Sequence, residues 1–176
     1  SSAASDVYKR QTDKRLATDI AFEIREAGRS KRKKNPKSSN LLDGEIIRHK
    51  NGSPIKVPGK FKCVKAIGWY VSEYNRAQIS INFTNYKISP IHQVFDAVCD
   101  LASERGLRVT GSELVGLIPK SALIDTGKYY LKKQGRSLGV SESDILECAV
   151  QSLGLNDVSK FSSKEKIIEF AIEDKK

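Results

Sequence analysis

The stretch Gly111-Ser112-Glu113-Leu114-Val115-Gly116 sets two glycines around one hydroxyl and one carboxylate, just ahead of Pro119. Glycine lets a backbone come close to a neighbour or turn into the left-handed region. Two readings therefore fit: ordinary turn chemistry, or a loop opened for a ligand that Ser112 and Glu113 would meet. The spacing is not a nucleophile elbow, which needs glycines two residues before and two after its serine, nor a dinucleotide fingerprint or phosphate loop. A second candidate lies upstream. Gln78, Ser80, Asn82 and Thr84 alternate with Ala77, Ile79, Ile81 and Phe83, so the polar set shares one face of a strand. Its amides and hydroxyls could read a flat polar ligand such as a heterocycle, line a domain interface, or form a solvated sheet face.

The remaining reactive side chains point away from catalysis within this chain. His49 sits in a basic, polar stretch and reads as solvated; His92 falls in the first turn of a helix, where a structural role is expected. Cys63, Cys99 and Cys148 are far apart and have no neighbouring histidine, so neither a disulfide framework nor a zinc knuckle is expected, and no metal is assigned. No carboxylate couple stands out for acid–base work. Trp69 and Tyr70 follow Gly68, and core packing is their default. The net charge of +10 is concentrated in part between Arg29 and Lys37, where six bases meet no acid. Such a run attracts nucleic acid, an acidic membrane or a small polyanion, or is simply a solvated loop. It carries no interleaved aromatics for stacking, which disfavours nucleic acid. With an odd cysteine count and no apolar run of about 18 residues, a soluble, cytoplasmic protein without a membrane span is expected.

Around these residues the chain lays out mixed elements. Its 176 residues suit one domain. "TDKRLATDIAFEIREA", from Thr12 to Ala27, predicts a helix capped by Thr12, striped by Leu16, Ile20, Ile24 and Ala27, and closed by Gly28. Residues 1–11 have no period and read as a non-native or disordered leader. The absence of methionine makes Ser1 no initiator product, so a processed chain or a fragment is expected. Residues 30–60 are polar and basic, an insertion with a type I′ hairpin expected at Asn51-Gly52. Runs at Phe61–Val71 and Ala77–Tyr86 flank "SEYNR" and predict a hairpin. Ser89-Pro90 opens a helix with Ser89 as N-cap, ended by Gly106; "LRVT" predicts a short strand; Pro119 opens a helix to about Gln134, followed by Gly135. "SESDILECAVQSL" and "SSKEKIIEFAI" carry capping-box serines and predict two more helices. The expected class is α/β, an α+β sandwich: a small, mostly antiparallel sheet with helices packed on one side, spanning residues 12–176.

Four segments then carry a resemblance: "IREAGRS", "KAIGWYVSEYNRAQISINFTNY", "SPIHQVFDAVCDLASERGLRVTGSELVGLIPKSAL" and "FSSKEKIIEF". In order and spacing, from about Thr12 to Ile172, they resemble the C-terminal subdomain of the formiminotransferase family, found also fused to a cyclodeaminase. The resemblance implies transfer of a formimino group between N-formimino-L-glutamate and tetrahydrofolate, a co-substrate, in the one-carbon chemistry of histidine degradation. It implies two similar α/β subdomains with folate in a tunnel between them, a dimer or larger homo-oligomer, and a catalytic histidine in the N-terminal subdomain. That subdomain is not in this chain, so no catalytic residue is assigned here. A strand reading like "YNINLNT" is expected where "SDVYKRQ" stands, which implies truncation at the N-terminus. The resemblance also gives the candidate folate-binding set: Gly111 and Gly116 bring the backbone close at the cleft, Ser112 and Glu113 meet ligand or partner subdomain, and Gln78, Ser80 and Asn82 look toward the same cleft. A charge-driven nucleic-acid module and a protein-interaction module are the competing functions.

Overall fold

No glycine or proline interrupts the chain before Gly28, and nothing in that composition stops a helix from propagating backwards. In the computed structural model, which describes residues 2–39 and 41–173, α1 accordingly spans Ser2–Ile24. The helix does not begin at Thr12, and the backbone of residues 2–11, expected as a disordered or non-native leader, continues it. Its buried stripe is Ala17, Ile20, Ala21 and Ile24; Ala27 lies past the helix and is exposed. Gly28 turns the chain at φ +59°, the left-handed conformation that favours glycine after a helix.

The chain divides into two units, residues 1–89 and 90–176. In the first, β3 (Val64–Val71) and β4 (Arg76–Phe83) form an antiparallel hairpin in the register Val64↔Phe83 to Val71↔Arg76. The loop closes at Asn75, φ +51°, whose N–H donates to Ser72 O. Directly opposed residues share a face. Val64, Ala66 and Gly68 therefore join Phe83, Ile81 and Ile79 on one side. α1 lies on that side so closely that a Cβ on Gly68 would stand 2.3 Å from Thr18 N. Only glycine allows the helix backbone that near the strand.

Between α1 and β3, residues 29–60 make their own small antiparallel structure. β1 (Arg29–Ser30) pairs with β2 (Lys56–Val57), and single bridges join Arg32 to Ile46 and Arg48 to Pro54. The turn at its tip is not type I′. Gly52 has φ +84° but Asn51 is not at positive φ, and the Gly52 N–H donates to His49 O while His49 N–H donates to Ser53 O. A type I-like turn followed by a left-handed glycine satisfies those bonds with one special residue instead of two.

In the second unit α2 (Ile91–Glu104), α3 (Lys120–Lys133) and α4 (Glu142–Ser152) carry the core. Gly127 of α3 sits where a Cβ would meet Ile145 O of α4 at 2.1 Å, so these helices approach at their backbones. Gly106 and Gly135, at φ +71° and +68°, follow α2 and α3 as expected. Ser141 caps α4 through Asp144 N. Three expectations fail. Pro90, not Ser89, is the N-cap of α2; the Ser89 hydroxyl donates to Lys62 O instead. "LRVT" is irregular, since no strand among the described residues pairs with it. The last helix breaks into α5 (Ser163–Lys166) and α6 (Ile168–Glu173). Ile167, wholly buried, leaves the helix to bridge Ile118 in parallel, and that pairing outweighs helix continuity.

Candidate functional site

Register decides what the polar face of β4 looks like. Gln78 stands opposite Trp69, Ser80 opposite Ile67, and Asn82 opposite Lys65, so these six share the face turned away from α1. Ser80 and Asn82 are exposed and Gln78 is half-buried. Trp69 and Ile67 are 46% and 59% exposed. Trp69 is thus not a core residue; its place opposite Gln78 puts it on the open face, while Tyr70 points to the α1 side. The alternation of Phe61–Val71 held the signal for this, but only the turn at "SEYNR" fixes which β3 residue meets which β4 residue. The result is a strip with an indole, an aliphatic side chain and two amides, able to stack on a flat ring and to donate and accept at its edges.

The second candidate lies in the other unit. Residues 111–118 run as an irregular segment held at both ends. Ser112 N–H donates to Gly154 O at 3.0 Å, and its hydroxyl donates to Leu153 O, just past α4. At the far end Ile118 N–H donates to Lys166 O and the Lys166 ammonium donates to Leu114 O. The space beside Gly111 is already filled by the protein itself: a Cβ there would lie 2.3 Å from Asp157 Cβ and 2.9 Å from Gly154 O. Gly116, at φ +83°, has open space around it. The two glycines therefore have different physical reasons, close approach at Gly111 and left-handed backbone at Gly116. Between the anchors, Glu113, Val115 and Leu117 are exposed, Val115 by 84%. The segment presents one carboxylate and an apolar tip.

A third cluster was not legible in the sequence. Asp96 on α2 accepts from the phenols of Tyr129 and Tyr130 and from the Lys133 ammonium, each at 2.8 Å. Burial pushes the Tyr130 phenol up, and its bond to Asp96 adds to the shift. His92 stacks on Tyr129 with ring centroids 4.2 Å apart. Its ring is buried, and its Nδ1 finds no partner among the described residues. Burial holds its pKa below the usual histidine range, against the pull of Asp96 and Asp125. These groups tie α2 to α3. The spacing of Asp96 from residues 129–133 crosses two elements, so no local pattern announces it.

Among the described residues no cluster of three metal-ligating side chains occurs, and no helix is long and apolar enough to cross a membrane.

Comparison with known proteins decides the family: residues 6–173 match the formiminotransferase domain. The chain belongs to the formiminotransferase family. It is 35% identical over 161 residues to the formimidoyltransferase-cyclodeaminase of Dictyostelium discoideum, covering 92% of this chain and 25% of that protein. With the chicken enzyme of the same name it shares 36% over 141 residues, 76% of this chain and 26% of that protein. With the glutamate formimidoyltransferase of Thermoplasma acidophilum it shares 39% over 114 residues, 64% of this chain and 35% of that protein. This formiminotransferase sequence thus spans about a quarter of the fused relatives and a third of the shorter one. All three relatives are transferases by name.

Proposed function

We propose that this chain is the C-terminal, folate-facing part of a glutamate formimidoyltransferase. The parent protein would move a formimino group between N-formimino-L-glutamate and tetrahydrofolate, serving histidine degradation in the cytoplasm as a homo-oligomer. The family match over residues 6–173 supports the reading, together with an open sheet face that pairs Trp69 with amides suited to a flat heterocycle. The fused relatives are roughly three to four times as long as this chain and the shorter one about twice as long, which leaves room for an N-terminal subdomain to supply the catalytic histidine. This chain's own part is binding. Gln78 and Asn82 would hydrogen-bond the edges of the folate ring, Ser80 would lend its hydroxyl, and Trp69 would shield the ring from water. Gly116 and Glu113 would meet ligand or the partner subdomain, on a segment that Gly111 and Ser112 fasten to the end of α4. The two patches lie in separate units, and each assignment stands on its own.

Trp69 is the sole tryptophan, so its emission reports on the face directly. Titrating the chain with tetrahydrofolate should quench it, and Gln78→Ala with Asn82→Ala should weaken the quench about tenfold or more. Unchanged emission at saturating folate, or a double variant that binds like the parent chain, would remove the face from the site. The chain alone should not transfer the formimino group; measurable transfer by it would overturn the division of labour.

A further inference from the structure

Residues 29–60 hold ten Lys and Arg residues against only Asp43 and Glu45, a net +8 of the chain's +10. The rest of the molecule is close to neutral. This charge is therefore not a general property of the surface; it belongs to one small structure with its own backbone hydrogen bonds.

The register sorts that charge. Ser30 opposes Lys56, Arg32 opposes Ile46, and Arg48 opposes Pro54. Alternation along each extended stretch puts these six on one face, and Lys56 Nζ donating to Ser30 Oγ at 3.2 Å confirms one such pair. The carboxylates are spent elsewhere. Glu45 bridges Lys33 at 2.8 Å, Asp43 meets Arg15, and Arg29 on the opposite face is bound to Asp19 at 2.6 Å. Among the described residues Arg32 and Arg48 donate to backbone carbonyls, of Gly44 and Gly52. Arg32, Arg48 and Lys56 thus have no carboxylate among the described residues. Ile46 lies among them, and Ile46 and Arg48 share an open recess with Lys33, Glu45 and Ile47 of the opposite face.

We propose that residues 29–60 form a docking module for an extended acidic polypeptide segment of a partner protein, with carboxylates on Arg32, Arg48 and Lys56 and an aliphatic side chain on Ile46. Three features select this occupant over nucleic acid. The segment contains no Phe, Tyr or Trp, so there is no stacking platform for single strands. The cations alternate with an apolar residue, which a phosphate backbone does not need and a mixed acidic–aliphatic peptide does. On a strand, side chains of one face recur at about 6.6 Å, and an extended peptide presents its own alternate side chains at that same period. Arginine forks then match carboxylates two bonds at a time. The module is independent of the folate reading; neither needs the other.

The test uses the whole chain. A fluorescein-labelled peptide alternating Glu and Val, one alternating Lys and Val, and a short labelled DNA duplex are titrated by anisotropy at about 50 and about 200 mM salt. The acidic peptide should bind, the basic one should not, and duplex should bind more weakly than the acidic peptide at the higher salt. Arg32→Glu with Arg48→Glu should cost about tenfold or more in affinity. Arg32 also holds Gly44 O, so Arg48→Glu with Lys56→Glu serves as a second variant that spares that contact. Trp69 emission, from outside the module, checks that the hairpin is intact. No binding of the acidic peptide, tighter binding of duplex, or charge reversals that leave affinity unchanged would each overturn the proposal.

Discussion

Gly111→Ala asks whether the glycine serves a ligand or the protein's own packing. The added Cβ would stand 2.3 Å from Asp157 Cβ, 2.8 Å from Asp157 Cγ and 2.9 Å from Gly154 O. Two of these atoms belong to a backbone or to the rigid root of a side chain, so no rotamer change relieves the overlap. The turn after α4 must retreat by roughly 1 Å to restore ordinary contact. That retreat stretches the two bonds from Ser112 to Leu153 O and Gly154 O, each contributing about 1 kcal/mol. Adding the strain of an overfilled contact gives a loss of about 2–3 kcal/mol. For a chain of this size that is a fall of roughly 5–10 °C in Tm. Gly116→Ala is the internal control: open space surrounds it, and only its φ of +83° opposes a side chain, a cost of about 1 kcal/mol. Urea denaturation followed by far-ultraviolet circular dichroism measures both. A Gly111→Ala protein as stable as wild type, or less perturbed than Gly116→Ala, refutes the packing explanation.

Three further outcomes follow from the same geometry. Burial depresses the His92 pKa in the folded state, so below the unfolded value of about 6.5 the unfolded chain takes up a proton that the native state resists. Stability should therefore be undiminished above that pH and fall as pH drops below it, and His92→Leu should flatten the fall; equal slopes for both proteins between neutral and mildly acidic pH would contradict this. Asp96→Asn removes the charge that three donors share and should cost about 2 kcal/mol. The same change should move tyrosine ionisation to lower pH in an ultraviolet titration. Arg29→Ala strips a mostly buried partner from Asp19, the two side chains being 17% and 16% exposed. It should lower the urea midpoint by the equivalent of about 2 kcal/mol, well above the effect of Lys33→Ala at the exposed pair with Glu45.

The parts of this fold that could be read from sequence are those whose cause is local. Gly106 and Gly135 end α2 and α3 because left-handed residues cost glycine least, and Ser141 caps α4 because its hydroxyl reaches Asp144 N within one turn. The β3–β4 hairpin follows from alternation on both sides of a polar loop. What escaped depends on distant partners. Ile167 looks helical until Ile118 is beside it. Ser89 is a sound N-cap by type, yet its hydroxyl donates to Lys62 O, far along the chain. "LRVT" has strand residues and, among the described residues, no strand to join. Trp69 looked like core because an aromatic after glycine on a strand usually is, and only the register exposes it. For the candidate site, the composition of the β4 face was legible but its Trp69 and Ile67 complement was not. The glycines of residues 111–116 were visible as a pair, while the reason for each depends on what lies within 3 Å of it in space.

At the base of the basic module the chain pinches almost shut. Gly28 comes so near Val57 O, and Gly59 so near Arg25 O, that a Cβ on either would overlap the facing carbonyl. Below that pinch, Lys60 and Phe61 bond back to Glu23 O and Ile24 O. The exit of α1 and the entry of β3 are thus spliced together by contacts that none of residues 30–56 supplies. What grows between them is free in length, because doubling a closed loop costs only about 0.6 kcal/mol. The module is a cassette: a descendant could enlarge it, trade it or replace it with a tight turn, and α1 would still meet the hairpin at Gly68.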